Sequence, residues 1–291
     1  MGIDLIPLKT CSFDCIYCQL GRTTDKTIRR GEYAPARGVL SEIAAKLKER
    51  PGIDCLTFSG SGEPTLNQNL GQIIKGIRML SGLPVAVITN GSLLWSEDVQ
   101  KNLLAANIVL PTLSTADPKI FKKIHRPDPG LKLDKIIQGM ASFRKKFSGS
   151  IWLEVFIVKG INDREKDMEA LKRVLDGIKP DKIQLNTSAR IPSEKYSLSA
   201  SKEKMEKLAA IFGERAEVIA DFKRRKIAKA FHAGESDVLN YLRRRPGTID
   251  DISAGLGISK ARARGLLQSL LAEKRISAKS WQERLEYFFI K

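Results

Sequence analysis

Residues 11–18 read CSFDCIYC and hold three of the four cysteines of this 291-residue chain. Thiolates are soft ligands that suit zinc or iron–sulfur clusters, and their spacing separates these two choices. A structural zinc site has four protein ligands, whereas this stretch supplies three and both histidines lie far away in the sequence. The pattern therefore favours an iron–sulfur cluster bound by Cys11, Cys15 and Cys18, with one iron left open.

The rest of the chain has the composition of a soluble globular protein, with 42% hydrophobic and 29% charged residues. No apolar run approaches the length of a bilayer crossing, and the first residues lack the basic-then-apolar layout of a secretory signal. The clustered cysteines are too few for a secreted disulfide framework, which favours reduced thiols. We therefore expect a cytoplasmic protein with no membrane partner.

Lysine and arginine outnumber aspartate and glutamate by 50 to 33, which gives a formal net charge of +17. Such an excess fits a polyanionic partner or solubility alone, and composition leaves both open. Residues 233–291 hold eleven basic and seven acidic residues, so most of the excess precedes them. A nucleic acid or an acidic protein is therefore expected at the N-terminal part as much as at the C-terminal part.

Residues 1–222 alternate short apolar runs with amphipathic stretches, as βα units of a parallel sheet do. Helices are predicted at Val39–Arg50 and Leu70–Leu80, where apolar residues recur at helical spacing. Six strands are predicted, at Ile3–Ile6, Cys55–Ser59, Pro84–Thr89, Ile108–Leu113, Trp152–Val158 and Lys182–Asn186. This α/β pattern predicts a partial (β/α)6 TIM-like barrel, with an open α/β sheet as the competing topology.

A smaller second domain is predicted at residues 235–291, after a basic linker at residues 223–234. Its pattern indicates three helices and a two-stranded ribbon, with a capping-box start at Thr248 and Asp251. This order is typical of a winged helix-turn-helix domain. Such a domain binds nucleic acid through its recognition helix or docks protein. The side chains presented by that helix would be Lys260, Arg262, Arg264 and Gln268.

The cysteine stretch resembles the motif of the radical S-adenosylmethionine (SAM) superfamily, including the aromatic Tyr17 before the third cysteine. SGSGEPTL at residues 59–66 is similar to the GGEP stretch of that family, and ITNGSLL at residues 88–94 resembles a segment that lines its SAM pocket. EVFIVKGIND at residues 154–163 and QLNTSARIP at residues 184–192 resemble strand ends of its wyosine-type branch. The resemblance covers nearly the whole first domain.

The resemblance implies an iron–sulfur oxidoreductase whose cofactors are one 4Fe–4S cluster and SAM. In that family the open iron chelates the amino and carboxylate groups of SAM, and one electron releases a 5′-deoxyadenosyl radical. An external flavodoxin-like or ferredoxin-like protein would supply the electron. The residues that inherit SAM contacts by position are Gly60, Ser61, Gly62, Glu63, Pro64, Thr89, Asn90 and Tyr17.

Other residues depart from the family or have ordinary interpretations. Wyosine-forming enzymes carry additional cysteines, and only Cys55 is spare here, which disfavours that reaction. We expect Cys55 to be a small buried residue inside a strand and His125 to cap or pair locally within a loop. Arg126 and Arg190 could bind a phosphate or carboxylate, since guanidinium suits bidentate recognition, or they could equally contact SAM or solvent. The run Thr112–Asp117 replaces a Ser-Leu-Asp-Ala-like run, so the substrate pocket is expected to differ.

Three functional hypotheses follow. The leading one is a radical SAM enzyme that modifies a macromolecule delivered by the winged helix, with tRNA or other nucleic acid as first choice. In the second, the enzyme activates or modifies a protein and the winged helix is its docking module. In the third, the cluster is a redox sensor and the winged helix reads DNA. Formation of 5′-deoxyadenosine under reducing, anaerobic conditions separates the first two from the third.

Overall fold

The computed structural model of the chain describes residues 1–49, 52–220, 233–244, 246–281 and 284–290. Their contacts form two units. The first comprises Met1–Ile16, Arg22–Thr187 and Leu198–Ile219. The second comprises Tyr17–Gly21, Ser188–Ser197 and the described part of Ala220–Lys291. The two short segments of the second unit fall inside the predicted first domain, so this grouping differs from a simple cut near residue 222. Most of the predicted basic linker lies outside the described residues.

The first unit is built from alternating strands and helices. Its strands are β1 (Gly2–Ile3), β2 (Thr10–Cys11), β3 (Asp25–Lys26), β4 (Leu56–Phe58), β5 (Val85–Thr89), β6 (Ile108–Pro111), β7 (Ser150–Ile157), β8 (Lys182–Thr187) and β9 (Ala216–Val218). Its helices are α1 (Ala36–Glu49), α2 (Leu70–Leu80), α3 (Glu97–Leu103), α4 (Pro118–His125), α5 (Leu133–Lys146), α6 (Glu165–Ile178) and α7 (Lys202–Ile211). Two 3₁₀ turns occupy Pro64–Leu66 and Gly213–Arg215.

Seven of these strands form one parallel sheet in the order β1-β4-β5-β6-β7-β8-β9. Apart from the short β2–β3 pair, the order follows the chain without the reversal that defines a doubly wound open sheet. Consecutive βα units laid side by side are the arrangement of a partial barrel. The sheet gains β9 beyond the six predicted strands, because this three-residue edge strand has too little apolar sequence to be recognised.

The helices pack on the sheet through continuous apolar stripes. In α2, which has the predicted bounds, the side chains of Ile73, Ile74 and Ile77 are fully buried. Burying each such side chain contributes about 1.5–3 kcal/mol, so stripes of this kind hold the helical layer in place. On β7 the side chains alternate between a fully buried face and a half-buried face, and the half-buried face carries Glu154. Glu154 therefore lies on the half-buried face of β7.

The second unit has its own apolar core. Its elements are α8 (Glu235–Arg244), α9 (Ile249–Leu256), α10 (Lys260–Ala272), β10 (Ile276–Trp281) and β11 (Arg284–Phe289). The strands β10 and β11 pair antiparallel. Thr248 and Asp251 form the expected capping box at the start of α9, and Gly257 ends that helix in the left-handed region at φ 65°. Side chains of Ala263, Leu267 and neighbouring residues of α10 are buried in this core.

Two features differ from the sequence-based expectations. Cys55 is half-buried and precedes β4 by one residue, so it is outside the strand rather than a buried part of it. His125 is the last residue of α4 and not a loop residue. Asp117 caps the start of this helix, and Arg126 ends it in the left-handed region. Among the described residues, no helix is both long enough and apolar enough to cross a bilayer.

Candidate active site

The cysteine loop begins where β2 ends. Cys11 is the last residue of that strand and Cys15 lies in the loop, and both are half-buried thiols outside any disulfide. The amide of Asp14 donates to the carbonyl oxygen of His125 at 2.9 Å, which ties the loop to the end of α4. Cys18 is also a half-buried thiol outside any disulfide, and it lies in the second unit. The motif thus supplies three reduced thiols that retain partial access to solvent.

His125 lies beside the second of these cysteines. Its Nδ1 is 3.4 Å from the Sγ of Cys15, and its ring is 1% exposed between Phe13 and Phe121. Burial lowers the pKa of His125 to about 3, so the imidazole is neutral near pH 7. The sequence predicted only local pairing for His125. It did not predict the contact with Cys15, because the two residues are 110 positions apart.

Glu63 is a fully enclosed carboxylate in the loop that follows β4, with 2% of the residue exposed. Its Oε1 accepts hydrogen bonds from the amide and hydroxyl of Thr65 and from the hydroxyl of Thr89, at 3.0, 2.6 and 2.6 Å. Its Oε2 accepts from the amide of Asn90 at 2.7 Å. Burial raises the pKa of Glu63 although these four hydrogen bonds act in the opposite direction. Glu63 is therefore not a surface carboxylate.

The glycines before Glu63 allow close approach of three chain segments. A Cβ at Gly62 would overlap the carbonyl oxygen of Thr10, which accepts from the amide of Glu63 at 3.2 Å. A Cβ at Gly60 would overlap the carboxylate of Asp4, which accepts from the amide and hydroxyl of Ser61 at 3.0 and 2.5 Å. Only glycine fits at positions 60 and 62. The glycine-rich stretch therefore packs directly against Asp4 and against Thr10, the residue before Cys11.

Asn90 links the end of β5 to the cysteine loop. Its Nδ2 donates to the Oγ of Ser12 at 2.8 Å and approaches the Sγ of Cys11 at 3.5 Å. Its Oδ1 accepts from the amide of Ser92, whose Oγ is 2.6 Å from the Oγ of Ser12. Glu63 and the first cysteine are thereby connected through one asparagine. Ser12 and Ser92 were not singled out by sequence, although both lie inside the quoted motifs.

The residues present fit an iron–sulfur cluster better than a single metal ion. Among the described residues, no three His, Cys, Asp or Glu side chains converge as they would around one ion. Three cysteine thiols from one short stretch are the kind of soft donor set that suits an iron–sulfur cluster. The Asn90 amide beside Cys11 is the kind of donor that tunes cluster sulfur ligands.

A second polar group lies further along the same sheet. Glu154 of β7 accepts from the hydroxyl of Thr112 at 2.8 Å and from the amide of Asn186 at 2.9 Å. These residues come from three adjacent strands or their ends. The run Thr112–Asp117, which replaces the Ser-Leu-Asp-Ala-like run of relatives, begins at this group. Asp117 caps α4 through the amides of Lys119 and Ile120, and Glu154 supplies the carboxylate beside Thr112.

The two candidate arginines have carboxylate partners within the protein. Arg126 lies 3.4 Å from the carboxylate of Asp14, next to the cysteine loop. Arg190 pairs with Asp251 at 3.3 Å and donates to Gln19 at 2.7 Å, all within the second unit. On α10, Arg262, Arg264 and Gln268 are exposed, and Lys260 is exposed but 3.0 Å from Asp250.

Known proteins resemble the chain along most of its length. The chain is 34% identical over 279 residues to a Brachyspira hyodysenteriae protein named GTPase Obg, covering 95% of this chain and 41% of that protein. It is 39% identical over 216 residues to a UPF0026 protein of Methanocaldococcus jannaschii, covering 74% of this chain and 67% of that protein. The Streptococcus suis protein SuiB, solved with S-adenosylmethionine, aligns with a TM-score of 0.55 at 14% identity. That alignment covers 76% of this chain and 50% of SuiB.

The sequence model of the Radical SAM superfamily matches residues 5–173. This range contains the cysteine stretch, Glu63 and Asn90, and it accounts for more than half of the chain. Enzymes of this family use a 4Fe–4S cluster and S-adenosylmethionine. The match over more than half of the chain, together with the parallel sheet and the three clustered cysteines, leads to one assignment: the chain belongs to the Radical SAM superfamily.

Proposed function

We propose that the protein uses one 4Fe–4S cluster, bound by Cys11, Cys15 and Cys18, to cleave SAM and modify a macromolecular substrate. The observation that carries this proposal is the hydrogen-bonded connection from Glu63 through Asn90 to Cys11. It joins the acidic residue of the glycine-rich stretch to the first cysteine. Two motifs that the sequence separates by about fifty positions therefore serve one site.

The chain's own residues would bind and orient the cofactor. When bound, the cluster would supply the single electron needed for reductive cleavage of SAM, and the chain's residues would hold both groups in place. We assign Glu63 to the methionine amino group, because an enclosed carboxylate with only neutral donors attracts a cation. Further SAM contacts are proposed for Gly60, Ser61, Gly62, Pro64, Thr89, Asn90 and Tyr17. An external flavodoxin-like or ferredoxin-like donor completes the scheme.

The substrate proposal depends on the C-terminal unit. Three helices followed by an antiparallel ribbon support a winged helix-turn-helix assignment, with α10 as recognition helix. Ser259 caps α10 through the amide of Arg262, and Arg264 and Gln268 are exposed further along it. Exposed basic side chains near a helix N-terminus suit phosphate groups. We therefore propose a nucleic acid as the substrate, with tRNA as the first choice. Membership of the wyosine-type branch is part of the same proposal.

Anaerobic reconstitution tests the chemistry. The protein reduced by dithionite should convert SAM to 5′-deoxyadenosine, measured by chromatography and mass spectrometry. Cys15→Ala should lose this conversion completely, because a thiolate ligand is missing, whereas the matched variant Cys55→Ala should retain it. A protein that holds its cluster but forms no 5′-deoxyadenosine would instead be a redox sensor, and the proposal would fail.

Binding measurements test the substrate. Affinity for tRNA should fall with salt, and Arg264→Gln should weaken binding and reduce the salt slope by about one. Glu273→Gln, an exposed change in the same unit, should leave affinity unaltered. Salt-insensitive or absent nucleic-acid binding, together with stoichiometric co-purification of one protein, would replace the nucleic acid by a protein substrate.

A further inference from the structure

The segment that carries Cys18 is attached to the second unit by side-chain contacts. Gln19, the next residue, accepts a hydrogen bond at its Oε1 from the Nη1 of Arg190 at 2.7 Å. The amide of Gly21 donates to the carbonyl oxygen of Cys18 at 3.1 Å and closes a turn around Gln19. The position of Cys18 is thus fixed on its C-terminal side by one arginine contact and one local turn.

Arg190 is itself held by a carboxylate. Its Nε and Nη2 approach the two oxygens of Asp251 at 3.4 and 3.3 Å, a two-point contact. Asp251 is the capping-box residue of α9, and its Oδ2 accepts from the amide and hydroxyl of Thr248 at 3.0 and 2.8 Å. The capping box holds the Asp251 carboxylate, and this carboxylate orients the Arg190 guanidinium. The remaining Nη1 of Arg190 therefore points to Gln19.

A second contact anchors the same stretch of chain. The amide of Ile191 donates to the Oε1 of Glu286 at 2.8 Å, and Glu286 on β11 is fully buried. Residues 190 and 191 are therefore attached to both α9 and the ribbon. The arginine that contacts Gln19 is positioned by two elements of the C-terminal unit, which are separated from it by about sixty and ninety-five positions.

We propose that Arg190 is a positioning residue for the third cluster thiolate: through Gln19 it holds the Cys18 turn in the geometry that retains the iron–sulfur cluster. This inference rests on the proposed role of Cys18. It gives the C-terminal unit a part in cluster retention, independent of any substrate that the unit binds. The proposed effect of Arg190 and Asp251 passes through Gln19 and the backbone of residues 18–21.

The test compares cluster retention in five reconstituted proteins, the unsubstituted chain and four variants. Arg190→Ala should lose iron to a chelator about tenfold faster than the unsubstituted protein, because a charge-assisted hydrogen bond is removed. Gln19→Ala breaks the same contact from an exposed position and should give a similar rate. Arg190→Lys keeps the charge without the planar fork and should be intermediate. The electron paramagnetic resonance spectrum of the reduced cluster should change in the same order.

Arg275→Ala is the control, since it removes an exposed arginine paired with Glu235 and Glu273 in the same unit. It should match the unsubstituted protein in iron loss and in spectrum. Equal rates and spectra for Arg190→Ala, Gln19→Ala and the unsubstituted protein overturn the inference alone. A carefully reconstituted unsubstituted protein that holds no cluster overturns the proposed function and this inference together.

Discussion

Glu63 and Asp251 are two carboxylates at helix starts whose pKa values are shifted in opposite directions. Glu63 caps the 3₁₀ turn at residues 64–66 and is surrounded by four neutral donors. Asp251 belongs to the capping box of α9 and also faces the Arg190 guanidinium. Burial alone would raise the pKa of Asp251, but Arg190 and the Thr248 hydrogen bonds outweigh it and hold that pKa below its ordinary value.

The difference bears on the proposed binding role of Glu63. A buried carboxylate without a cation is costly, and it gains most when a ligand brings positive charge. Asp251 already has its cation, so further positive charge would add little there. Glu63 has none among its hydrogen-bonding partners, which supports its assignment to the amino group of SAM. The charges around a buried carboxylate therefore indicate whether it suits a cationic ligand, which the residue type alone does not.

Gly62→Ala should have the largest effect on this comparison. A Cβ there overlaps the backbone of Thr10, so the stretch that places Glu63 must shift. We expect the free energy of unfolding to fall by about 3 kcal/mol. SAM binding should be lost as well. Chemical denaturation and calorimetry measure both effects. Gly177→Ala in α6, where a Cβ meets nothing within 4 Å, is the control and should be neutral or stabilising.

Glu63→Gln should act mainly on the cofactor. The amide keeps the size of the side chain and one acceptor oxygen but removes the negative charge. We expect the Kd for SAM to rise about tenfold or more, since a charge-assisted contact is lost. Isothermal titration under anaerobic conditions measures it. Glu169→Gln on the exposed side of α6 should bind SAM normally. Unchanged affinity in Glu63→Gln would remove Glu63 from the binding site.

Asp251→Asn should act on stability. The substitution removes the ion pair with Arg190 and weakens the capping box, so we expect a loss of about 1 kcal/mol in the free energy of unfolding. Denaturant unfolding at neutral pH measures this loss. Glu273→Gln, whose partner Arg275 is largely exposed, should change stability much less. An equal loss in both variants would show that the Asp251 pair behaves as an ordinary surface pair.

The smallest effect is a pair of opposite pH trends. The raised pKa of Glu63 gives a stabilising contribution at low pH that is lost as pH rises through the folded value. The lowered pKa of Asp251 gives a contribution present above the unfolded value, near pH 4, that is lost as pH falls. Relative to the unsubstituted protein, Glu63→Gln should gain stability as pH rises above about 4, and Asp251→Asn should approach parity below it. Parallel trends would contradict the comparison.

Local patterns predicted much of the molecule, and long-range contacts escaped them. The apolar spacing of α2 determined both of its ends, and the cysteine stretch and glycine-rich stretch identified the candidate site. The pairing of Arg190 with Asp251 spans 61 positions, and that of Cys15 with His125 spans 110. No local pattern encodes such contacts, since they arise only when the sheet and helices assemble. The short edge strand β9 was not predicted, because its three residues form a strand only through pairing with β8, which is distant in sequence.

Thr112, Glu154 and Asn186 also reveal how this fold can diversify. Each side chain belongs to a different βα unit, and the connecting helices are separate parts of the chain. Exchanging one of the three residues leaves the other two strands and their hydrogen-bond ladders in place. Relatives can thus acquire new polar patterns on this face one unit at a time, while the cysteine loop and the glycine-rich stretch stay as they are.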